Sequence, residues 1–362
     1  MVDLYITSKD FEDNLIRETK IGELIKNNKV RILLADKDSE AVNQIVASEK
    51  CLSHNCYIKL YYQGGKASNP MPGLEMMNAF KEYKDIYDGY SSRSIVLLGE
   101  KEKEDEAKKI EKHFGVKCII GKKGLQPLKG GKGIFFKEEE SGSWKNDVFD
   151  MIDGMPCNAI IINDHYIDKG DDYQRNLCDI IKSLSAMRCS PYFPFHILII
   201  IGKNLFCKKD KFEQFTEATI NTIVNHRIIN FDCIIEFLYC DDSCKGKYDL
   251  YKYTHDRFVI SNFSSIDASH SLKLFNAKDG KVITEQKITV GNLLYEDTLK
   301  MIDTLICRIE KEKKKGNENH MDPNNPYHYI RYDYLNGQFS INNSVDMRKI
   351  QNRLIVDELN KL

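Results

Sequence analysis

A chain of 362 residues is longer than one hydrophobic core ordinarily serves, so two domains and a tail are expected. Its formal net charge of −1 excludes a chain-wide electrostatic footprint for nucleic acid, and any basic site must be local. Eleven cysteines, an odd number spread along the chain, exclude the short, even-numbered framework of a secreted disulfide scaffold and read as reduced thiols.

The opening MVDLYITSKDFEDN lacks a basic region followed by an apolar core, so no signal peptide is expected. From there, strand and helix patterns alternate. VRILLAD (30–36), CYIKLYY (56–62), RSIVLLG (93–99) and VKCIIG (116–121) have the short apolar runs of buried strands. SEAVNQIVASEKCL (39–52), GLEMMNAFKEYKDIYDGY (73–90) and KEDEAKKIEKHFG (103–115) have helical spacing, the last ending at Gly115 as a left-handed C-cap would. This alternation predicts an α/β domain with a parallel or mixed sheet. GKKGLQPLKGGKG (121–133) breaks the pattern as a basic, glycine-rich loop. It never supplies the GK[ST] of a Walker A loop, whose hydroxyl reaches magnesium, but Lys122, Lys123, Lys129 and Lys132 are candidate phosphate ligands.

After the polar stretch KEEESGSWKND (137–147) the alternation resumes. CNAIIINDHYI (157–167), FHILIIIG (195–202) and FDCIIEFLYC (231–240) are predicted strands. YQRNLCDIIKSLSAMRC (173–189) and KFEQFTEATINTIVNHRI (211–228) are predicted helices. FPFHILIIIG, the most apolar run, is too short to cross a bilayer. THDRFVISNF (254–263) reads as a strand, and LKLFNAKDGKVITEQ (272–286) as a hairpin turning at Asp279–Gly280. LLYEDTLKMIDTLICRIEKEKKKG (293–316) reads as a long helix. The tail changes character: residues 320–343 are rich in Pro, Asn and Tyr, and VDMRKIQNRLIVDELNKL (345–362) is an amphipathic helix. Tyr327, His328, Tyr329, Arg331, Tyr332 and Tyr334 interleave rings and cations, as base stacking along a charged groove requires. Packing across the protein's own surface is the plainer reading. The expected division is residues 1–135, 136–316 and a C-terminal arm 317–362.

Candidate chemistry centres on His255, Asp256 and Arg257. Residues two apart on a strand share a face, so His255 and Arg257 point together and suit one bound phosphate. Asp164 and His165 end an earlier strand and are candidate partners, either around a phosphate or in a polar network that locks the strand ends together. The spacing of Cys51 with Cys56 and of Cys240 with Cys244 does not match a zinc ribbon, and no metal or cofactor is expected. The run resembles the phospholipase D superfamily, whose strand motif is His-x-Lys, four further residues, then Asp; His255, Arg257 and Asn262 stand at those positions. The HDR form and the Asp164–His165–Tyr166 strand end are most similar to a divergent branch. It includes the domain C-terminal to microtubule-interacting-and-transport domains and relatives in bacterial conflict systems. The resemblance covers about residues 140 to 310 and rests on these motifs and on element order.

That resemblance implies a second α/β domain that binds phosphate or nucleic acid, in a pseudoenzyme serving as a binding or scaffolding component of a nucleoprotein or defence-type complex. A protein partner or a homo-oligomer, and a cytoplasmic location, are expected with it. In the catalytic alternative, the chain is a phosphodiesterase or nuclease, with His255 as nucleophile, Arg257, Asp164 and His165 around it, and a second protomer supplying another histidine. Arg keeps the grip on phosphate that Lys provides. Asn262 carries no charge with which to orient a histidine, which weighs against hydrolysis. Arg331 in the tail is a further candidate for nucleic-acid contact.

Overall fold

The computed structural model describes residues 2–6, 30–34, 57–60, 93–98, 104–120, 132–152, 155–164, 170–187, 194–201, 209–239, 257–268, 270–292, 328–343, 352 and 354. Its contacts divide the chain into two units, Met1–Leu128 and Lys129–Leu362. Both are α/β.

The first unit is a five-stranded, wholly parallel sheet. Its strands are β1 (Val2–Ile6), β2 (Val30–Leu34), β3 (Tyr57–Leu60), β4 (Ser94–Leu98) and β5 (Lys117–Ile120), in the order β3-β2-β1-β4-β5. Parallel neighbours cannot be joined by a hairpin, so each pair needs a crossover. Helix α1 (Glu104–Phe114) supplies the one from β4 to β5. It ends as the sequence predicts: Gly115 has φ +67°, and its N–H donates to the Glu111 carbonyl over 2.8 Å. The Glu111 side chain then accepts from Lys117 Nζ (2.7 Å) and the Cys118 N–H (2.9 Å), tying the helix end to β5.

The second unit is a nine-stranded mixed sheet. It contains β6 (Lys132–Phe136), β7 (Ala159–Asp164), β8 (Phe195–Ile201), β9 (Cys233–Tyr239), β10 (Arg257–Ser261), β11 (Ser264–Ala268), β12 (Gln286–Asn292), β13 (His328–Leu335) and β14 (Gln338–Asn343). The order is β14-β13-β9-β8-β7-β10-β11-β12-β6. Strands β7, β8 and β9 are parallel, joined through α2 (Asp171–Ala186) and α3 (Lys209–Asn225); every other pairing is antiparallel. The three parallel strands are buried almost throughout, which explains their unbroken apolar runs. Alternate residues Ile160, Ile162, Ile197, Ile199, Ile235 and Phe237 join Leu177, Ile181, Phe212 and Phe215 of the two helices in one core.

Two segments differ from expectation. β6 pairs with β12, so residues 132–135, expected to close the first domain, begin the second sheet instead. An edge strand needs only one apolar face: Phe136 is buried while Lys132 and Phe135 are exposed, so the run carries little strand signal. The tail, expected as a separate arm, contributes the hairpin β13–β14, and β13 pairs with β9 along its whole length. The hairpin turns at Asn336–Gly337, with φ +53° and +79°. Positive φ at both central residues is the signature of a type I′ turn, and Asn-Gly is its preferred pair. The predicted helix at 293–316 lies outside the described residues. So does that at 345–362 apart from Asn352 and Leu354; both of these are fully buried, and Asn352 Nδ2 donates to the Ile160 carbonyl over 3.0 Å. No helix among the described residues is long and apolar enough to cross a membrane.

A Cβ added at Gly337 meets nothing within 4 Å, so substitution there costs conformation and not space. Gly337→Ala is expected to lower stability by about 1 kcal/mol, read from the midpoint of urea unfolding.

Candidate functional site

The register of β7 against β10 sets Phe258 opposite Asn163 and Val259 opposite Ile162. Carried one residue further, it sets Arg257 opposite Asp164, at the carboxyl edge of the parallel strands. Ligands of open α/β sheets bind outside that edge. On the other side of β10, Arg257 pairs with Ala268, the last residue of β11. The chain leaving β11 then crosses this edge as an irregular strap, residues 270–275.

Three buried polar side chains hold the strap by its backbone. Gln286 Oε1 accepts from the N–H of His270 (3.2 Å) and Ser271 (3.3 Å), and its Nε2 donates to the Ser271 carbonyl (3.1 Å). Asp164 Oδ2 accepts from the Leu272 N–H over 3.0 Å. Asn176 Oδ1 accepts from the N–H of Leu274 (3.2 Å) and Phe275 (3.0 Å), and its Nδ2 donates to the Phe275 carbonyl (2.6 Å). Asn176 also accepts from Trp144 Nε1 (2.8 Å) and donates to the Asp172 carbonyl (2.6 Å). A strap crossing the end of a sheet has no ladder partner, so its N–H groups must be met by side chains. Below it the hairpin turns near the expected place: Phe275 bridges to Val282, and Gly280 has φ +71°.

Three nitrogen-bearing side chains and one further acid lie at this edge. Arg257 is half-buried and His270 exposed. Lys273 Nζ lies 3.7 Å from Asp172 Oδ2, with both side chains about a third exposed. His270 and Lys273 have no periodic signal in the sequence, because the strap that carries them is neither helix nor strand. His255, Asp256 and His165 lie outside the described residues.

The remaining candidates are dispersed. Asn262, at the position where the resemblance expects Asp, sits beyond the opposite end of β10. Its Oδ1 accepts from the N–H of Asn158 (2.7 Å) and Ala159 (3.1 Å) and so anchors the start of β7. Five residues of strand separate it from Arg257, roughly 17 Å. Lys132 is exposed on β6, three strands from β10, and Lys122, Lys123 and Lys129 are outside the described residues. Arg331 is on β13, four strands away, and strand alternation sets it on the face opposite Tyr332 and the core. Its guanidinium grips Asp333 with two bonds of 2.5 and 2.8 Å. It is therefore not brought together with Arg257, and the tail's described rings do not lie on one face. Tyr332 is buried against Thr216 of α3 (2.8 Å), and Tyr329 is buried on the other face, donating to Glu236 Oε1 over 2.7 Å. Alternation along a strand divides the rings between two faces.

Burial, and then the neighbouring Glu236 carboxylate, push the Tyr329 phenol well above its ordinary range. A groove of about 470 Å³ between α2 and α3 is lined by Gln174, Arg175, Asp179, Lys182, Thr222 and His226. Its thiol, Cys178, is pushed up to about 12 by burial and then by Asp179, so it is no nucleophile at neutral pH. Among the described residues no three His, Cys, Asp or Glu side chains form a metal site. No family model matches the chain, and no curated protein does.

Asn176→Ala leaves a buried indole and several backbone groups without partners and is expected to cost about 3 kcal/mol or more. Lys273→Ala, which breaks a solvent-screened pair with Asp172, is expected to cost about 0.5 kcal/mol; urea unfolding of the two variants separates them. The raised Tyr329 pKa means that the folded state holds this proton more tightly. Its stabilisation is complete below the unfolded phenol's value of about 10 and is lost as pH rises beyond it. The unfolding free energy should fall with a slope about one proton steeper in the native protein than in Tyr329→Phe.

Proposed function

We propose that the second unit is a phosphate- or nucleic-acid-binding module, hydrolytically inactive, serving a nucleoprotein or defence-type assembly. The observation that carries this reading is the division of labour at the carboxyl edge. Asp164, the acid beside Arg257, is buried and holds the strap, while Arg257, His270 and Lys273 lie at the same edge. An edge that carries an arginine and a lysine while its buried acid holds backbone suits an anionic ligand more than proton transfer.

Two further points support it. The order β7-α2-β8-α3-β9-β10 is the strand–helix alternation on which the phospholipase-D-like resemblance rests. Asn262 is engaged at the far end of β10 and has no part in orienting a histidine near Arg257. In the phosphodiesterase alternative, His255 would act beside Arg257 at this same edge.

The test is binding and cleavage of labelled single- and double-stranded DNA and RNA by the full chain, with and without divalent metal. Arg257→Ala is expected to weaken binding about tenfold to a hundredfold, the worth of one hydrogen bond to a charged group, and to lower the salt slope by about one. No cleavage is expected. Cleavage abolished by His255→Ala would establish the phosphodiesterase instead, and absence of binding by the native chain would overturn both.

A further inference from the structure

The nine-stranded sheet ends at β14, and no described residue pairs with its outer edge. An open edge presents unpaired N–H and C=O groups to any other strand, and natural sheets blunt such edges with charge, proline or bulges. The opposite edge is blunted in this way. β6 starts with Lys132, Lys137 follows it directly, and Lys287 of the adjoining strand crosses over Gly133. β14 has none of these protections. It reads QFSINN, without a charge or a proline, and its register against β13 runs unbroken from Leu335↔Gln338 to Ile330↔Asn343. Ile341 is 57% exposed, and Phe339 is half-buried against the Tyr334 ring at 4.5 Å.

We propose that β14 is a docking edge for a second copy of this chain, pairing antiparallel with its counterpart across a twofold axis. An uncharged strand opposed to itself brings no like charges together. A twofold axis matches one patch with the same patch. A register that sets Ile341 beside the partner's Ile341 covers the most exposed aliphatic side chain of the strand. One pair of six-residue strands buries less than the roughly 1,200 Å² of a stable standard interface, so the association is weak and concentration-dependent.

The geometry fixes what this dimer does. β14 is five places from β10 in the sheet, about 24 Å at the usual strand spacing. Across the twofold the two Arg257 edges are about 50 Å apart or more, and antiparallel pairing turns them in opposite directions. The dimer therefore cannot merge two half-sites into one two-histidine centre. It presents two separate edges, and this holds whether or not those edges bind phosphate.

Sedimentation velocity of the full chain over a wide concentration range tests the proposal. The native protein should pass from monomer towards dimer as concentration rises. Ile341→Lys, a change at an exposed side chain, should raise the dissociation constant about tenfold or more. Phe135→Lys, on the opposite edge, should leave it unchanged, and circular dichroism should show both variants folded. A native chain that stays monomeric throughout overturns the proposal. So does a dimer that Ile341→Lys leaves intact, or one that Phe135→Lys abolishes.

Discussion

Asn176 makes five hydrogen bonds in a place with 1% exposure, and three parts of the second unit meet through them. Its carbonyl accepts from the indole of Trp144 and from two strap amides; its amide group donates to the strap and to its own helix. A buried amide filled on every side is rigid, because each bond fixes the direction of the others. The aromatic packing follows from that fixed point. Phe275 meets Phe136 and Trp144 edge-on, at 5.7 and 6.2 Å between centroids, so the strap, β6 and the turn at Trp144 close over the end of α2 together. The place of His270 and Lys273 at the carboxyl edge follows from the bonds that hold the strap.

The same device recurs at other points among the described residues of this sheet. Gln286 and Asp164 satisfy the strap, Asn262 satisfies the first amides of β7, and Asn352 reaches the Ile160 carbonyl from a distant part of the chain. Each is a short polar side chain in an apolar neighbourhood. Judged by residue type, Asp164 and Asn262 are indistinguishable from catalytic groups. Judged by partners, they hold backbone.

The legible part of the fold was the part whose pattern is local. Strands β7, β8 and β9 are continuous apolar runs, and α1 ends at the glycine its geometry demands. β1, VDLYI, was not among the predicted strands although it is the middle strand of its sheet. The hairpin β13–β14 had a clear signal in Asn336–Gly337, masked by the surrounding Asn, Pro and Tyr. At the site, the adjacency of Asp164 and Arg257 was open to inference from motif and element order. The strap was not, since nothing in its sequence shows that Asn176, almost a hundred residues away, would fill its backbone. In the tail, Arg331 shares a face with Tyr329 while Tyr332 and Tyr334 face the other way, because neighbours along a strand point to opposite sides.

The order of strands also sets a schedule for synthesis. A chain made from its N-terminus has β9 complete long before β13, and β6 waits for β12. Through that interval β9, CIIEFLY, has a bare side, with Glu236 its one charged residue, and such segments are prone to self-association. The hairpin from the tail ends that exposure. Late-made strands thus cover a stretch of the kind that self-associates when bare.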